Sequence, residues 1–384
     1  MQNIVSQFAI RGTVSEIKPL GEGLINDTYK VTTVEPDAPD YVLQRINTNV
    51  FPDPDMVMRN IKAVTSHIRQ KLEAKREDDI DRKVLTFIPS KADPEQLYVT
   101  VPSSSEEGMQ SADCEGKVAP PLEGTGGFWR LMIFIPNAIT KQAVNPDSSR
   151  AAGKAFGQFQ AMLADIPVEL GETIKDFHNM EFRLEQLRQA LKDNLAGRAD
   201  EPEVKDMVEQ IKERADEMCK AERLYREGKL PKRVCHCDTK VNNMMFDQQD
   251  NVLCVIDLDT VMPNFIFSDY GDFLRTGANK VAEDHDNMAE VQFDVDIFKA
   301  FTEGYLSSAK SFLLPIEIEN LPYATALFPY MQCVRFLWDY LNGDKYWKVK
   351  YPTHNFVRAN NQLHLLLSIE EHWGEMKEFI QSKL

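Results

Sequence analysis

Between residues 13 and 47, hydrophobic positions cluster in three short runs, Thr13–Lys18, Thr28–Val34 and Tyr41–Ile46, with Gly-rich or Pro/Asp-rich turns between them. The runs are rich in β-branched and aromatic residues, so the pattern predicts three antiparallel strands. Past Pro52 and Pro54 the period changes, and Val57, Ile61, Val64, Ile68 and Leu72 recur at three- and four-residue spacing. That is the stripe of a helix with one buried face, placed to cover a small sheet. Further strands are expected at Lys83–Ile88 and Leu97–Val101, and the apolar run Phe128–Ile135 reads as a buried strand. Between them, 102–127 is rich in Ser, Glu, Gly and Pro and is expected to form a long surface loop. From residue 148 helical periods dominate, at Ser148–Ala164, Met180–Leu195 and the highly charged Val204–Tyr225, with more after 290.

The pattern predicts an α+β protein with a β-rich N-terminal unit, 1–135, and a larger, mostly helical C-terminal unit, 136–384. The boundary falls at Pro136–Asp147, which follows a buried strand and contains two prolines. Composition agrees: 384 residues, 43 % hydrophobic and 27 % charged, suit a folded protein with a sizeable core. The net charge of −16 disfavours a non-specific hold on nucleic acid or on an anionic membrane face. The first residues lack a basic start followed by an apolar core, and no run of about 18 apolar residues occurs, so neither export nor a membrane span is expected. Six scattered cysteines fit a reducing, cytoplasmic setting better than a disulfide framework.

Within the helical half one segment departs from the period. Val234–Phe246 and Val252–Asp259, separated by Asp247–Asn251, read as loop, strand, turn and strand. In the second strand a two-residue period would put Asp257 and Asp259 on one face, at the end of a largely apolar run. Two carboxylates there would repel each other and be costly to desolvate without a cation, for which Mg²⁺ suits oxygen ligands best. Capping a turn or pairing with bases is the alternative for these two side chains. Asp238 and Asn243 supply a carboxylate and an amide just upstream. Phosphoryl transfer needs this inventory: a proton acceptor for the attacking hydroxyl, ligands for Mg²⁺, and a loop over the nucleotide phosphates. Such a loop could be Leu20–Asp27, whose Gly21 and Gly23 let backbone amides approach a ligand, although an ordinary hairpin connection fits as well. Cys235-His236-Cys237 and Cys254 lack the spacing of common zinc sites and read as buried thiols.

His236-x-Asp238-(x)4-Asn243 followed fourteen residues later by Asp257-Leu-Asp259 resembles the signature of the aminoglycoside phosphotransferase and choline kinase superfamily. More narrowly, Asp238–Asn243, Val255–Thr260, Asp269-Tyr-Gly-Asp272 with Arg275-x-Gly-Ala-Asn279, and Val334–Asp344 are similar to the N-acetylhexosamine 1-kinases. The resemblance runs from about residue 20 to about 365 and implies a two-lobed, protein-kinase-like fold.

It further implies an enzyme that uses ATP and Mg²⁺ to phosphorylate the anomeric hydroxyl of a small-molecule sugar. Asp238 would be the catalytic base and touch the acceptor, Asn243 and Asp257 would ligate the metal, and Asp259 would support it. His236 would hold its loop through backbone hydrogen bonds. Nucleotide contacts would come from Gly21, Gly23, Asn26 and Thr28 in and beside the phosphate loop, and from Phe134 and Ile135 near adenine. Asn26 stands at the third glycine position of the G-x-G-x-x-G form, and the third strand has no phosphate-binding Lys. Gln44 or Arg45 takes that place according to register, and charge favours Arg45. The resemblance gives the sugar pocket to His178, Arg335 and Tyr346, although Arg335 could instead pair with Asp339 one helical turn on. Asp272 and Arg275 would brace the metal loop. Other acceptors, among them an aminoglycoside, choline, homoserine or another sugar, keep the same fold, and a nucleotide-binding protein without catalysis is the alternative of a different class. A protein kinase fits less well, because Cys237 precedes Asp238 and no Asp-Phe-Gly follows. The sequence leaves the oligomeric state open.

Overall fold

A computed structural model describes residues 1–21, 25–102, 126–141 and 143–384. The N-terminal lobe is a five-stranded antiparallel sheet of β1 (Val14–Pro19), β2 (Asp27–Thr33), β3 (Tyr41–Ile46), β4 (Tyr98–Val101) and β5 (Gly127–Ile133), in the order β1-β2-β3-β5-β4. Helix α1 (Pro54–Ala74) covers one face. Asp53 caps it by accepting from the Met56 amide at 2.9 Å, and Pro54 sets its first turn. The apolar stripe expected for this helix is buried from Val57 to Leu72. The opposite sheet face packs Tyr41, Leu43, Trp129 and Leu131 against Ile4, Val5 and Phe8 at the N-terminus.

The C-terminal lobe carries the long helices α2 (Pro146–Leu163), α3 (Met180–Asp193), α4 (Pro202–Met218), α5 (Lys220–Arg226), α6 (Phe267–Gly277), α7 (Val295–Ala309), α8 (Leu321–Leu341), α9 (His354–Glu371) and α10 (Trp373–Gln381). Two small ladders interrupt them, β6 (Arg233–Cys235) with β9 (Met262–Asn264) and β7 (Met244–Phe246) with β8 (Val252–Val255). Helices α2 and α7 pack almost backbone to backbone: a Cβ on Gly153 would lie 2.1 Å from the Phe301 carbonyl oxygen, and one on Gly304 would lie 2.0 Å from that of Arg150. A shared apolar cluster runs between the lobes, with Ile46 and Met132 of the sheet, Ile61 and Val64 of α1, Phe159 of α2, and Leu258 and Val261. Among the described residues no helix is long and apolar enough to cross a membrane.

Three expected elements differ. Lys83–Ile88 is not a strand. Residues Ile80–Lys83 form one helical turn, and the following stretch joins β5 by a single bridge, Phe87 to Met132, because β4 already holds the first half of that edge. The helix expected over 204–225 breaks at Cys219. There the Tyr323 hydroxyl donates to the Met218 carbonyl at 2.8 Å and accepts from the Ala221 amide at 3.2 Å, replacing hydrogen bonds that a continuous helix would make. The strand expected to carry Asp257 and Asp259 ends at Val255, before either carboxylate. Most of the 102–127 loop lies outside the described residues.

Candidate active site

The segment 236–243 is fixed from below by one carboxylate. Asp269, in the first turn of α6, accepts from the amides of Cys237 (2.8 Å) and His236 (3.0 Å) and from Gln160 Nε2 (2.7 Å). Cys237 has φ +64°, a left-handed turn that a non-glycine residue adopts here between two amides clamped on one side chain. The Thr239 hydroxyl donates to the Asp269 carbonyl at 2.6 Å, and the Thr260 hydroxyl to the His236 carbonyl at 2.7 Å. His236 is fully buried. Its Nδ1 accepts from the Asp238 amide at 3.2 Å, which assigns the proton to Nε2, and Nε2 donates to the Ile256 carbonyl at 2.8 Å. The imidazole thus spans two loops and does not point at the cleft.

Asp238 emerges from this brace with both carboxylate oxygens engaged. Asn243 Nδ2 donates to Oδ2 at 2.9 Å and Lys240 Nζ lies 2.8 Å from Oδ1. Burial raises the carboxyl pKa, but Lys240 and the Asn243 hydrogen bond outweigh it and hold Asp238 below the usual carboxylate value. The same pairing, with Asp272 adding to it, holds the Lys240 ammonium above its ordinary value. Asp272 itself is locked to Arg275 at 2.9 Å in a buried pair rather than a surface one, and Arg275 also reaches Glu283 at 2.6 Å.

Asp257 and Asp259 do not share a strand face. Past Val255 the chain turns left-handed at Asp257 (φ +59°) and continues as a 3₁₀ turn, Leu258–Thr260. A two-residue period holds only while the backbone stays extended, so the carboxylates part. Asp259 is buried at 2 % exposure and forms an ion pair with Arg130, equally buried on β5, while Asn26 Nδ2 donates to its other oxygen at 2.7 Å. Asp257 has no hydrogen-bond or ion-pair partner among the described residues and opens onto solvent in the cleft. Protein crowding around it, with Asp259 and Asp238 close by, pushes its carboxyl up to about 6.

These groups can be tested as a metal site. Among the described residues no three His, Cys, Asp or Glu side chains converge as ligands. Asn243 uses its Nδ2 on Asp238, which leaves its amide oxygen available, and Asp257 offers an unpartnered carboxylate. One amide oxygen and one carboxylate fit Mg²⁺ held jointly with nucleotide phosphates, not a cage built from protein alone. Asp259, occupied by Arg130 and Asn26, is placed to brace that arrangement.

On the nucleotide side, Gly21 has φ +70°, and Gly23 lies outside the described residues. Besides Asp259, Asn26 engages the Asn47 amide at 3.0 Å, tying the end of the loop to the lobe junction. Thr28 accepts from Gln44 Nε2 at 3.1 Å. In the β3–β5 register Gln44 faces Arg130, and Gln44 Oε1 accepts from Arg130 Nη2 at 2.8 Å. Gln44, not Arg45, is therefore on the sheet face toward Asp259. Arg45 points to the other face, near Asp27 and over Trp129, and the preference for it on charge fails because register, not charge, sets the face. At the exit of β5, Lys30 lies 4.3 Å from the Phe134 ring centroid and Ile135 is buried in the inter-lobe cluster.

On the acceptor side, His178 is buried, stacks on Phe177 with centroids 4.3 Å apart, and meets Ser268 Oγ at 3.1 Å. Burial, then the charges of Arg335 and Arg183, hold its pKa well below the ordinary value, so the ring is neutral. Arg335 lies over Phe177 and Trp347, at 5.3 and 5.2 Å. It makes no ion pair with Asp339, which instead accepts from the amides of Lys345, Tyr346 and Trp347 and so shapes the turn that carries the exposed Tyr346. The charge of Asp238 is felt at both His178 and Arg335, which puts the three in one neighbourhood.

Residues 16–301 match the model of the phosphotransferase enzyme family (APH). The chain belongs to this family. Solved structures share the fold across nearly the full length of both chains. An aminoglycoside phosphotransferase from Alicyclobacillus acidocaldarius is 12 % identical with a TM-score of 0.61, over 100 % of this chain and 96 % of that one. A choline kinase from Cryptosporidium parvum is 14 % identical with a TM-score of 0.55, over 96 % and 91 %. The amicoumacin kinase hAmiN, solved with AMP-PNP, Ca²⁺ and amicoumacin, is 14 % identical with a TM-score of 0.53, over 99 % and 91 %.

Sequence reasoning missed Arg130, Lys240, Asp269 and Arg183 as functional neighbours. Arg130 had a readable signal, since a charge inside the apolar run 128–135 demands a buried partner. Lys240 lies within the Asp238–Asn243 motif itself.

Proposed function

We propose that this chain is an ATP-dependent kinase of a small-molecule alcohol, and more narrowly a kinase of the anomeric hydroxyl of N-acetylhexosamines. The observation that carries the first part is the facing of two unlike carboxylates in one cleft: Asp238, ionised and aimed by Asn243 and Lys240, and Asp257, unpartnered. Asp238 would orient the acceptor hydroxyl and take its proton as the oxygen attacks the γ-phosphorus. Its low pKa suits a base that accepts the proton late, when the attacking oxygen is already bonding to phosphorus. Asn243 and Asp257 would hold Mg²⁺, which when bound neutralises phosphate charge. The fold shared with hAmiN, solved with an ATP analogue, supports the choice of nucleotide.

The hexosamine acceptor rests on the sequence similarity of 238–243, 255–260, 269–279 and 334–344. The test is ATP consumption with Mg²⁺ across N-acetylglucosamine, N-acetylgalactosamine, glucose, galactose, choline and an aminoglycoside, with phosphorus NMR to locate the product phosphate. A 1-phosphate on an N-acetylhexosamine is the expected result. Turnover of only another alcohol would keep the kinase and discard the acceptor, and silence across the panel would leave a nucleotide-binding protein without catalysis.

A further inference from the structure

Two guanidiniums meet at the Phe177-His178 corner. Arg335, on α8 and only 8 % exposed, lies over the Phe177 ring. Arg183, on α3, holds the Phe177 carbonyl with Nε at 3.1 Å and Nη2 at 2.7 Å. Their remaining recorded hydrogen bonds go to neutral amides: Arg335 Nη1 to Gln332 Oε1 at 3.0 Å and Arg183 Nη1 to Gln186 Oε1 at 2.8 Å. No carboxylate forms an ion pair with either one among the described residues. Of the nearby acids, Asp238 is matched by Lys240 and Asp272 by Arg275, while Asp176, felt at Arg183, accepts from Asn179 at 2.9 Å and pairs with neither guanidinium. Each arginine lowers the proton affinity of its neighbours: Arg335 does so at Arg183, which burial and this repulsion bring down to about 9, and both do so at His178. Tyr346 is felt electrostatically at both guanidiniums, which places it at the same corner.

Buried charges are normally paired, because leaving water costs more than packing returns. Here a chain of net charge −16 keeps two neighbouring cations, Arg335 buried and Arg183 half-buried, without an ion pair among the described residues, on the acceptor side of its catalytic aspartate. We propose that the acceptor carries a negatively charged substituent, a phosphate or a carboxylate, and that Arg183 and Arg335 bind it. This rests on the kinase reading above and deepens it: the sugar would be an acidic N-acetylhexosamine, and ammonium-bearing alcohols would be repelled from the pocket. Guanidiniums suit the role because their planar donor forks match carboxylate and phosphate oxygens, and neutral His178 can donate or accept beside them without adding charge.

The experiment compares kcat/KM with Mg·ATP for N-acetylglucosamine, its 6-phosphate, N-acetylmuramic acid as the carboxylate arm, and glucosamine as the cationic arm. At least one anionic sugar should exceed the neutral parent by roughly ten- to hundredfold through a lower KM, the scale of one or two charge-assisted hydrogen bonds. Glucosamine should fall below the parent. Arg183→Gln and Arg335→Gln should each bring the anionic-to-neutral ratio toward one, with Arg335→Lys retaining part of it. A neutral parent preferred over both anions would overturn the proposal, and so would Arg335→Gln raising the KM of Mg·ATP instead of that of the sugar. If no N-acetylhexosamine turns over, the sugar reading fails. The arginine pair is then judged by thermal shift with inorganic phosphate in the presence of Mg·ADP: stabilisation of the wild-type chain but of neither Gln variant supports it, and no shift overturns it.

Discussion

Asp269 and Asp257 are both aspartates of the cleft, and the chain treats them in opposite ways. Asp269 spends both oxygens on two amides and a glutamine and takes no part in the chemistry proposed above. Asp257 spends neither. The same contrast separates Arg130, closed on Asp259 and Gln44, from Arg183 and Arg335, which form no ion pair among the described residues. Where a charged group meets its counter-charge or a full set of hydrogen bonds within the chain it fixes geometry, and where it meets no counter-charge it stays available to a group the protein does not itself supply. The paired set braces the 236–243 segment and ties the two lobes together through Asp259. The unpaired set lines the space where nucleotide, metal and acceptor would meet.

The largest effect that would sharpen this contrast is Asp257→Ala, which should abolish metal-dependent nucleotide binding while leaving the fold intact. An unchanged Mg·ATP affinity in a titration would place the metal elsewhere. On the braced side, Arg130→Met should destabilise the chain by about 3–5 kcal/mol in chemical denaturation, because it leaves Asp259 buried without a counter-charge. A loss below about 1 kcal/mol would mean that water reaches Asp259 and that the inter-lobe tie is weak.

Asp238→Asn should lower kcat by at least ~10²-fold with nearly unchanged nucleotide binding, and undiminished turnover would remove it as the base. Asp269→Asn keeps the shape but turns one acceptor into a donor facing backbone amides. It should cost about 1–3 kcal/mol and lower kcat more than it raises the KM of ATP, since the damage is to the placement of Asp238. The smallest effect is a pH dependence. His178 has a folded pKa below its unfolded value, so its contribution is present above about 6.5 and is lost as pH falls, when the unfolded chain takes up a proton the native ring refuses. His178→Gln should flatten that part of the stability curve, and an NMR titration should find the native ring neutral at pH 6.

Much of the frame was legible because it depends on local rules. The 3.6-residue stripe of α1, the strands Val14–Pro19, Asp27–Thr33 and Tyr41–Ile46, and the spacing of Asp238, Asn243 and Asp257 are all local patterns. What failed were arguments needing a neighbour distant in sequence. The break at Cys219 depends on Tyr323, the interrupted strand at 83–88 depends on the edge already taken by β4, and the choice between Gln44 and Arg45 depends on pairing with Arg130.

By itself, then, the sequence determined which residue types are available for phosphoryl transfer and in what order, because motif spacing is a property of the chain. The tertiary structure decided which of those groups are spent. Asp257 and Asp259 are identical in sequence terms and two positions apart, yet a left-handed turn at the first sends the second to Arg130 of the other lobe. Arg335 could have closed on Asp339, but the backbone amides of the next turn claim that carboxylate first and leave the guanidinium over Phe177. Pairing is decided by which partner arrives within about 3 Å, and that distance is set only when helices and strands far apart in the chain pack together.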